Sequence, residues 1–91
     1  MKSRTTPRFR ELLRDLPSEV RAQASATFLS WQVSPDHPSL NFKPVSHGDP
    51  RACSVRISLQ YRAIGLRYDD EIRWVWIGPH AAYDQELKKY R

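Results

Sequence analysis

The segment "CSVRISLQYRAIGLRYDDEIRWVWIGP", residues 53–79, decides the fold class. In its first seven residues Cys53, Val55, Ile57 and Leu59 alternate with Ser54, Arg56 and Ser58, the period of a half-buried strand. After the tight "SLQ" connection, "YRAIGLRY" and "EIRWVWIG" continue as an antiparallel meander turned at Asp69 and Asp70. In the last of these strands both alternating sets, Ile72/Trp74/Trp76 and Val75/Ile77, are apolar. That pattern predicts an interior strand covered on both faces, with Trp74 and Trp76 in the core.

Upstream the period changes to that of helices. In "TTPRFRELLRDLP", Thr6 is a candidate N-cap and Pro7 suits the first helical position. Phe9, Leu12, Leu13 and Leu16 then form one apolar stripe. A second helix, "PSEVRAQASATFLSWQV", places Val20, Ala24, Phe28 and Trp31 on one face and stops before "SPDHP", since a residue preceding proline is steered out of the helical region. Two helices so closely joined should form an antiparallel hairpin whose stripes cover a sheet. "LNFKPV" alternates Leu40 and Phe42 with Asn41 and Lys43, and Pro44 makes it an edge strand or a strand end. "HGDP" reads as a turn, "AAYDQELKKYR" as a short terminal helix that is marginal unless docked, and "MKSRT" as a possible further strand. The expectation is one α+β domain over residues 1–91: a two-helix hairpin on a twisted antiparallel sheet of three to four strands, with a short C-terminal helix.

Composition bounds the function. Ninety-one residues with ten aromatics supply one modest core. Eleven of the fifteen basic residues are arginine, and the net charge is +5. Between Arg51 and Arg67 stand four arginines and no carboxylate. The guanidinium fork grips phosphates bidentately, so the bias points to a polyanion or an acidic protein as partner. Cys53 is the single cysteine, which excludes an internal disulfide and a multi-cysteine zinc site; within its apolar alternation it reads as a buried structural thiol. The opening "MKSRTTPRFREL" lacks the apolar run of a signal peptide and no stretch approaches a membrane span, so a cytoplasmic protein is expected.

Several residues are candidates for chemistry. Arg56 and Arg62 flank "SLQ": a three-residue loop would place them opposite one another on one face, and a two-residue loop on opposite faces. The spacing admits both. With Lys43 from the neighbouring strand they would make a basic surface for phosphate, and Arg51 extends the same arginine run. His80 follows Gly78-Pro79 where side chains leave the core, and histidine can exchange a proton near neutral pH. Tyr83, three residues on, could stack on a base or support His80. His37 and His47 lie in proline- and glycine-rich turns without a partner at metal-ligand spacing, and no phosphate-binding glycine loop or nucleophile elbow is present. No cofactor or metal is expected.

Taken together, "HPSLNFK", "VRISLQYRAI" and "WIGPHAAYD", within a helix-pair and strand pattern that covers nearly the whole chain, resemble the RelE/ParE superfamily of bacterial type II toxins. The resemblance implies a toxin neutralised by a cognate antitoxin lying across it. For RelE-type members it implies ribosome-dependent cleavage of mRNA by attack of a ribose 2′-OH, run by basic residues without a metal. By position, Arg62 in "YRAI" matches the arginine placed on the scissile phosphate, Arg56 falls near a basic strand position, and His80 and Tyr83 match the segment supplying an acid or base and a stacking ring. Lys43 would help position the phosphate. Ser54 stands where such enzymes often carry a further basic residue. The ParE branch shares the fold but poisons DNA gyrase by binding, and a third reading is an interaction module that keeps only the fold.

Overall fold

In the computed structural model, which describes residues 2–45 and 48–90, the segment that alternates at period two forms three consecutive antiparallel strands. They are Ala52–Arg56 (β3), Tyr61–Tyr68 (β4) and Glu71–Pro79 (β5). Two edges complete the sheet: Lys43–Pro44 (β2) pairs antiparallel with β3, and Lys2–Thr5 (β1) pairs parallel with β5. The order is β1-β5-β4-β3-β2. The sheet is therefore five-stranded and mixed, where three to four antiparallel strands were expected. The extra strand is β1, within the "MKSRT" stretch read as a possible further strand; its parallel pairing was not expected, and all four of its residues are exposed. It is held by backbone bonds, by Trp74 Nε1 donating to Ser3 Oγ at 2.9 Å and by an Arg4–Glu71 ion pair, none of which leaves an apolar alternation to read.

Helix α1 (Pro7–Arg14) begins as its sequence dictates: Thr6 Oγ1 accepts from the Phe9 N–H at 3.2 Å, and Pro7 occupies the first turn. Helix α2 (Ser18–Val33) follows. Phe9 of α1 and Phe28 of α2 meet edge to face at 5.8 Å, Phe28 lies 4.7 Å from Trp74, and Trp31 packs edge-on against both Trp74 (5.5 Å) and Phe42 (5.6 Å). Cys53, Val55, Ile57, Ala63, Ile72, Trp74 and Ile77 present the sheet's side of this core.

Leu59, expected on the same face as Cys53, Val55 and Ile57, is instead 75% exposed. The strand stops at Arg56 because the Ile57 and Ser58 N–H groups turn to the Tyr61 carbonyl, which lifts Leu59 off the sheet. "LNFKPV" is also shorter as a strand than expected. Pro38–Leu40 forms a 3-10 turn, the His37 ring accepts from the Ser39 N–H, and Asn41 is left-handed at φ 47°. Leu40 is buried from that turn, and β2 is an edge strand, as Pro44 requires. His47, within the expected "HGDP" turn, lies outside the described residues.

The strongest departure from simple alternation is in β5. Ile64 pairs with Trp76 but Gly65 pairs with Trp74, so Val75 is an extra residue, a β-bulge. The two indoles consequently leave the strand on opposite faces. Trp74 joins the helix-side core, while Trp76, also buried, lies on the other face with Ile64. That second face is crossed by helix α3 (His80–Leu87), which continues into a 3-10 turn at Lys88–Tyr90.

Gly65 faces the bulge from β4. A Cβ there would meet Ile72 Cδ1 at 2.8 Å and Trp74 Cε3 at 2.9 Å. Gly65→Ala is therefore expected to destabilise the protein by about 1–3 kcal/mol, read as a lowered urea midpoint. Burial pushes the Cys53 thiol up to about 11. Native protein at pH 8 should then react with an aromatic disulfide reagent only on the timescale of unfolding, and at once in denaturant.

Candidate active site

The register answers the question left by the "SLQ" connection. Arg56 pairs directly with Arg62, so both guanidinium groups rise from the same sheet face, the one that carries Trp76. Lys43 pairs with Ser54 in the adjoining row, and the Ser54–Ile64–Trp76 row continues across the sheet. Lys43, Arg56 and Arg62 are thus on one face, and none forms an ion pair with a described residue. Like charges placed opposite one another on adjacent strands are destabilising, by about 0.2–1 kcal/mol for a typical pair.

Arg62 is held from one side. Its Nη1 donates to the carbonyls of Ser58 at 2.5 Å and Tyr61 at 3.0 Å, so the β3–β4 loop orients the guanidinium. Nε and Nη2 make no hydrogen bond among the described residues. Burial and then the neighbouring Arg56 charge hold the Arg62 pKa below its usual value, while Tyr83 acts in the opposite direction. Arg56 and Arg62 stand opposite one another in one row, and α3, which carries Tyr83, starts two residues beyond Gly78, the partner of Arg62. An anion entering beside that row would relieve the repulsion.

The Gly-Pro junction positions the aromatic part. Gly78 lies opposite Arg62, and a Cβ on Gly78 would come within 2.5 Å of Trp76 Cζ2. The indole therefore lies over a position where only glycine fits. Pro79 ends β5 and caps α3, whose first N–H, that of His80, donates to the Gln60 carbonyl at 2.6 Å. His80 and Tyr83, three residues apart on the helix, stack at 5.8 Å with an interplanar angle of 24°, and Tyr83 lies 6.3 Å from Trp76. The result is a run of three rings, Trp76, Tyr83 and His80, ending in an exposed imidazole. Between Tyr83 and the β2 edge, a cleft of about 280 Å³ is lined by Lys43, Pro44, Val45, Tyr83 and Leu87.

Arg51 is not brought to this site. Its carbonyl accepts from the Arg67 N–H, five residues along β4 from Arg62, or about 17 Å at the rise of a strand. Its guanidinium is engaged by Asp49 at 2.7 Å and rests on the Tyr68 ring at 5.1 Å, with Arg73 on the same ring at 4.5 Å. His37 is likewise remote, in the turn before β2.

Sequence reading missed Trp76 as the platform beneath Tyr83, and it missed the anchor of α3. Glu86 is the one buried residue of α3. Its carboxylate accepts from both Arg8 Nη1 (2.8 Å) and Nη2 (3.0 Å), from Tyr90 Oη (3.2 Å), and faces Lys89 at 3.3 Å. A partner 78 positions away leaves no local signal.

No protein-family model and no curated protein matches this sequence. Solved structures do match the fold. The RelB–RelE antitoxin–toxin complex from Methanococcus jannaschii superimposes with a TM-score of 0.74 at 15% identity, over 92% of this chain and 98% of that one. YafQ from E. coli strain BL21(DE3) gives 0.70 at 11% identity, over 90% and 96%. The RelBE2 toxin–antitoxin complex from Mycobacterium tuberculosis gives 0.65 at 22% identity, over 87% and 96%.

Hydrogen bonding from Arg8 holds the Glu86 carboxyl below its usual range. A depressed folded-state pKa contributes stability that is complete above the ordinary carboxyl value and is lost as pH falls through the folded one. Glu86→Gln is expected to cost about 1–2 kcal/mol at neutral pH, between exposed and buried pairs. It should also flatten the loss of stability as pH falls below the ordinary carboxyl value in urea titrations. On this architecture, two helices on one face of a five-stranded mixed sheet and a third on the other, the chain has the fold seen in the RelE and YafQ structures.

Proposed function

We propose that this protein is the toxin of a type II toxin–antitoxin system and that it cleaves mRNA on the ribosome. The observation that carries the reading is the Arg56–Arg62 pair, two like charges held opposite one another near the start of the helix that carries His80 and Tyr83, with no ion-pair partner among the described residues. A structure built for stability alone gains nothing from that juxtaposition, whereas one that binds phosphate gains the site. The fold supports the toxin assignment, and relatives of this fold were crystallised with the RelB and DinJ antitoxins.

In this reading the RNA backbone lies across the Arg56–Arg62 row, with Lys43 fixing an adjacent phosphate from the row of Ser54. Lys43 thereby supplies the cation where members of the superfamily often have a basic residue at the position of Ser54. The ribose 2′-OH attacks the neighbouring phosphorus. The P–O5′ bond breaks, leaving a 2′,3′-cyclic phosphate and a 5′-hydroxyl. The free edge of Arg62, with Arg56, stabilises the charge that grows on the non-bridging oxygens, an effect worth about a hundredfold or more in rate per donor. His80, exposed at the first turn of α3, exchanges the proton, and Tyr83 stacks on a base. The cognate antitoxin would be an acidic or amphipathic chain that folds as it binds this basic surface.

Arg62→Ala and Arg56→Ala are expected to lower cleavage of ribosome-bound message by about a hundredfold, read by primer extension, while thermal melts stay cooperative. Arg62→Lys should recover only part of the loss, because an ammonium cannot both bind the loop carbonyls and present a second edge to phosphate. Undiminished cleavage in both alanine variants, or gyrase-bound DNA breaks in place of cleaved message, would overturn the assignment.

A further inference from the structure

Helix α3 carries both His80 and Tyr83, yet it has little of its own to hold it. It is eight residues long, has no side-chain N-cap bond, and buries a single side chain, which is charged. A helix of that length is unstable alone in water. A buried carboxylate is unfavourable unless paired. Among the contacts that fasten α3 to the body are the His80 N–H on the Gln60 carbonyl, the Tyr83 ring against Trp76, and the Glu86 carboxylate in the fork of Arg8. The first two lie at or beside the site. The third acts at the helix's last turn and reaches to the first turn of α1, on the other side of the sheet, while the 3-10 turn that follows is tied by the Asp49 N–H donating to the Tyr90 carbonyl and Leu87 lies toward the β2 edge.

We propose that Arg8 is a positioning residue for the site: its bidentate pair with Glu86 clamps the last turn of α3 and so holds Tyr83 against Trp76 and, with it, His80 beside the Arg56–Arg62 row. The inference rests on the reading of those two residues as site residues. Its physical content is specific, because the pair works through an uncompensated charge. If Arg8 is removed, Glu86 is left buried without its main partner, and Lys89 and the Tyr90 hydroxyl cannot replace a fork that satisfies both carboxylate oxygens. The helix then gains by lifting its end into water. If Glu86 is neutralised as well, the reason to lift disappears. The double variant is therefore expected to behave better than Arg8→Ala alone, a sign opposite to that of two independent packing losses.

The test uses the full chain as Arg8→Ala, Arg8→Ala/Glu86→Gln and wild type. Amide hydrogen exchange of Tyr83–Leu87 should quicken about tenfold or more in Arg8→Ala while β4 and β5 keep their protection, and should return toward wild type in the double variant. Turnover on ribosome-bound message should fall about tenfold or more with KM changed by less than about threefold, since a displacement of about 1 Å affects the reacting geometry more than binding. Unchanged exchange in α3, a double variant worse than Arg8→Ala, or faster exchange with full turnover would each overturn the proposal. Should wild type cleave no message, the functional reading fails by itself; the exchange pattern and the His80 and Tyr83 ring-proton shifts still decide whether Arg8 sets the position of α3.

Discussion

The pairing of β4 with β5, interrupted by the bulge at Val75, is the constraint on which the molecule turns. A strand without a bulge would send Trp74 and Trp76 to the same face, because side chains alternate strictly. One extra residue sends them apart. Trp74 becomes the hub of the helix-side core, touching Phe28 and Trp31 and donating to Ser3, which also secures the parallel edge strand. Trp76 becomes the floor of the opposite face, over Gly78 and beside Tyr83. The same insertion brings Ile77 to the core side with Ala63 and Val55, and leaves Gly78 across from Arg62. The two aromatic clusters, and with them the covered and the chemically equipped faces, follow from one residue.

Charge is distributed with a similar division. Three carboxylates, two near the far end of the sheet and one in α3, are committed: Glu71 to Arg4 and Arg73, Asp49 to Arg51, Glu86 to Arg8. Lys43, Arg56 and Arg62 receive none among the described residues. The local repulsion in the Arg56–Arg62 row is small against the burial of the aromatic core beneath it, so the fold tolerates it. It is also the part of the surface where an added anion has the most to gain. Stability and site occupy opposite faces of the same sheet, and α3 joins them through an ion pair that crosses from one to the other.

Much of this was readable from local pattern. The Thr6–Pro7 start of α1, the stripe of α2, the alternation of Cys53, Val55 and Ile57, and the edge role of Pro44 each depend on neighbours within one or two turns or on a single backbone rule. His80 and Tyr83 could be placed together because a helix sets residues three apart on one face. By contrast, "KSRT" carries no apolar period, and its pairing with β5 is made by backbone groups and by side chains some seventy positions away. Leu59 looked like strand because its alternation was intact; the turn that removed it is set by two backbone N–H groups.

By itself, then, the sequence determined the fold class, the two helices, the interior character of β5 and the residue types available for phosphate and proton chemistry, since periodicity and side-chain chemistry are local properties. Tertiary structure decided that Arg56 and Arg62 share a face, that Arg51 stands apart on Tyr68, that the indoles of Trp74 and Trp76 part, and that Arg8 holds Glu86. Those outcomes depend on register, on one bulge and on contacts between distant segments. Their free energies compete only once the chain has closed on itself, so no window of neighbouring residues contains them.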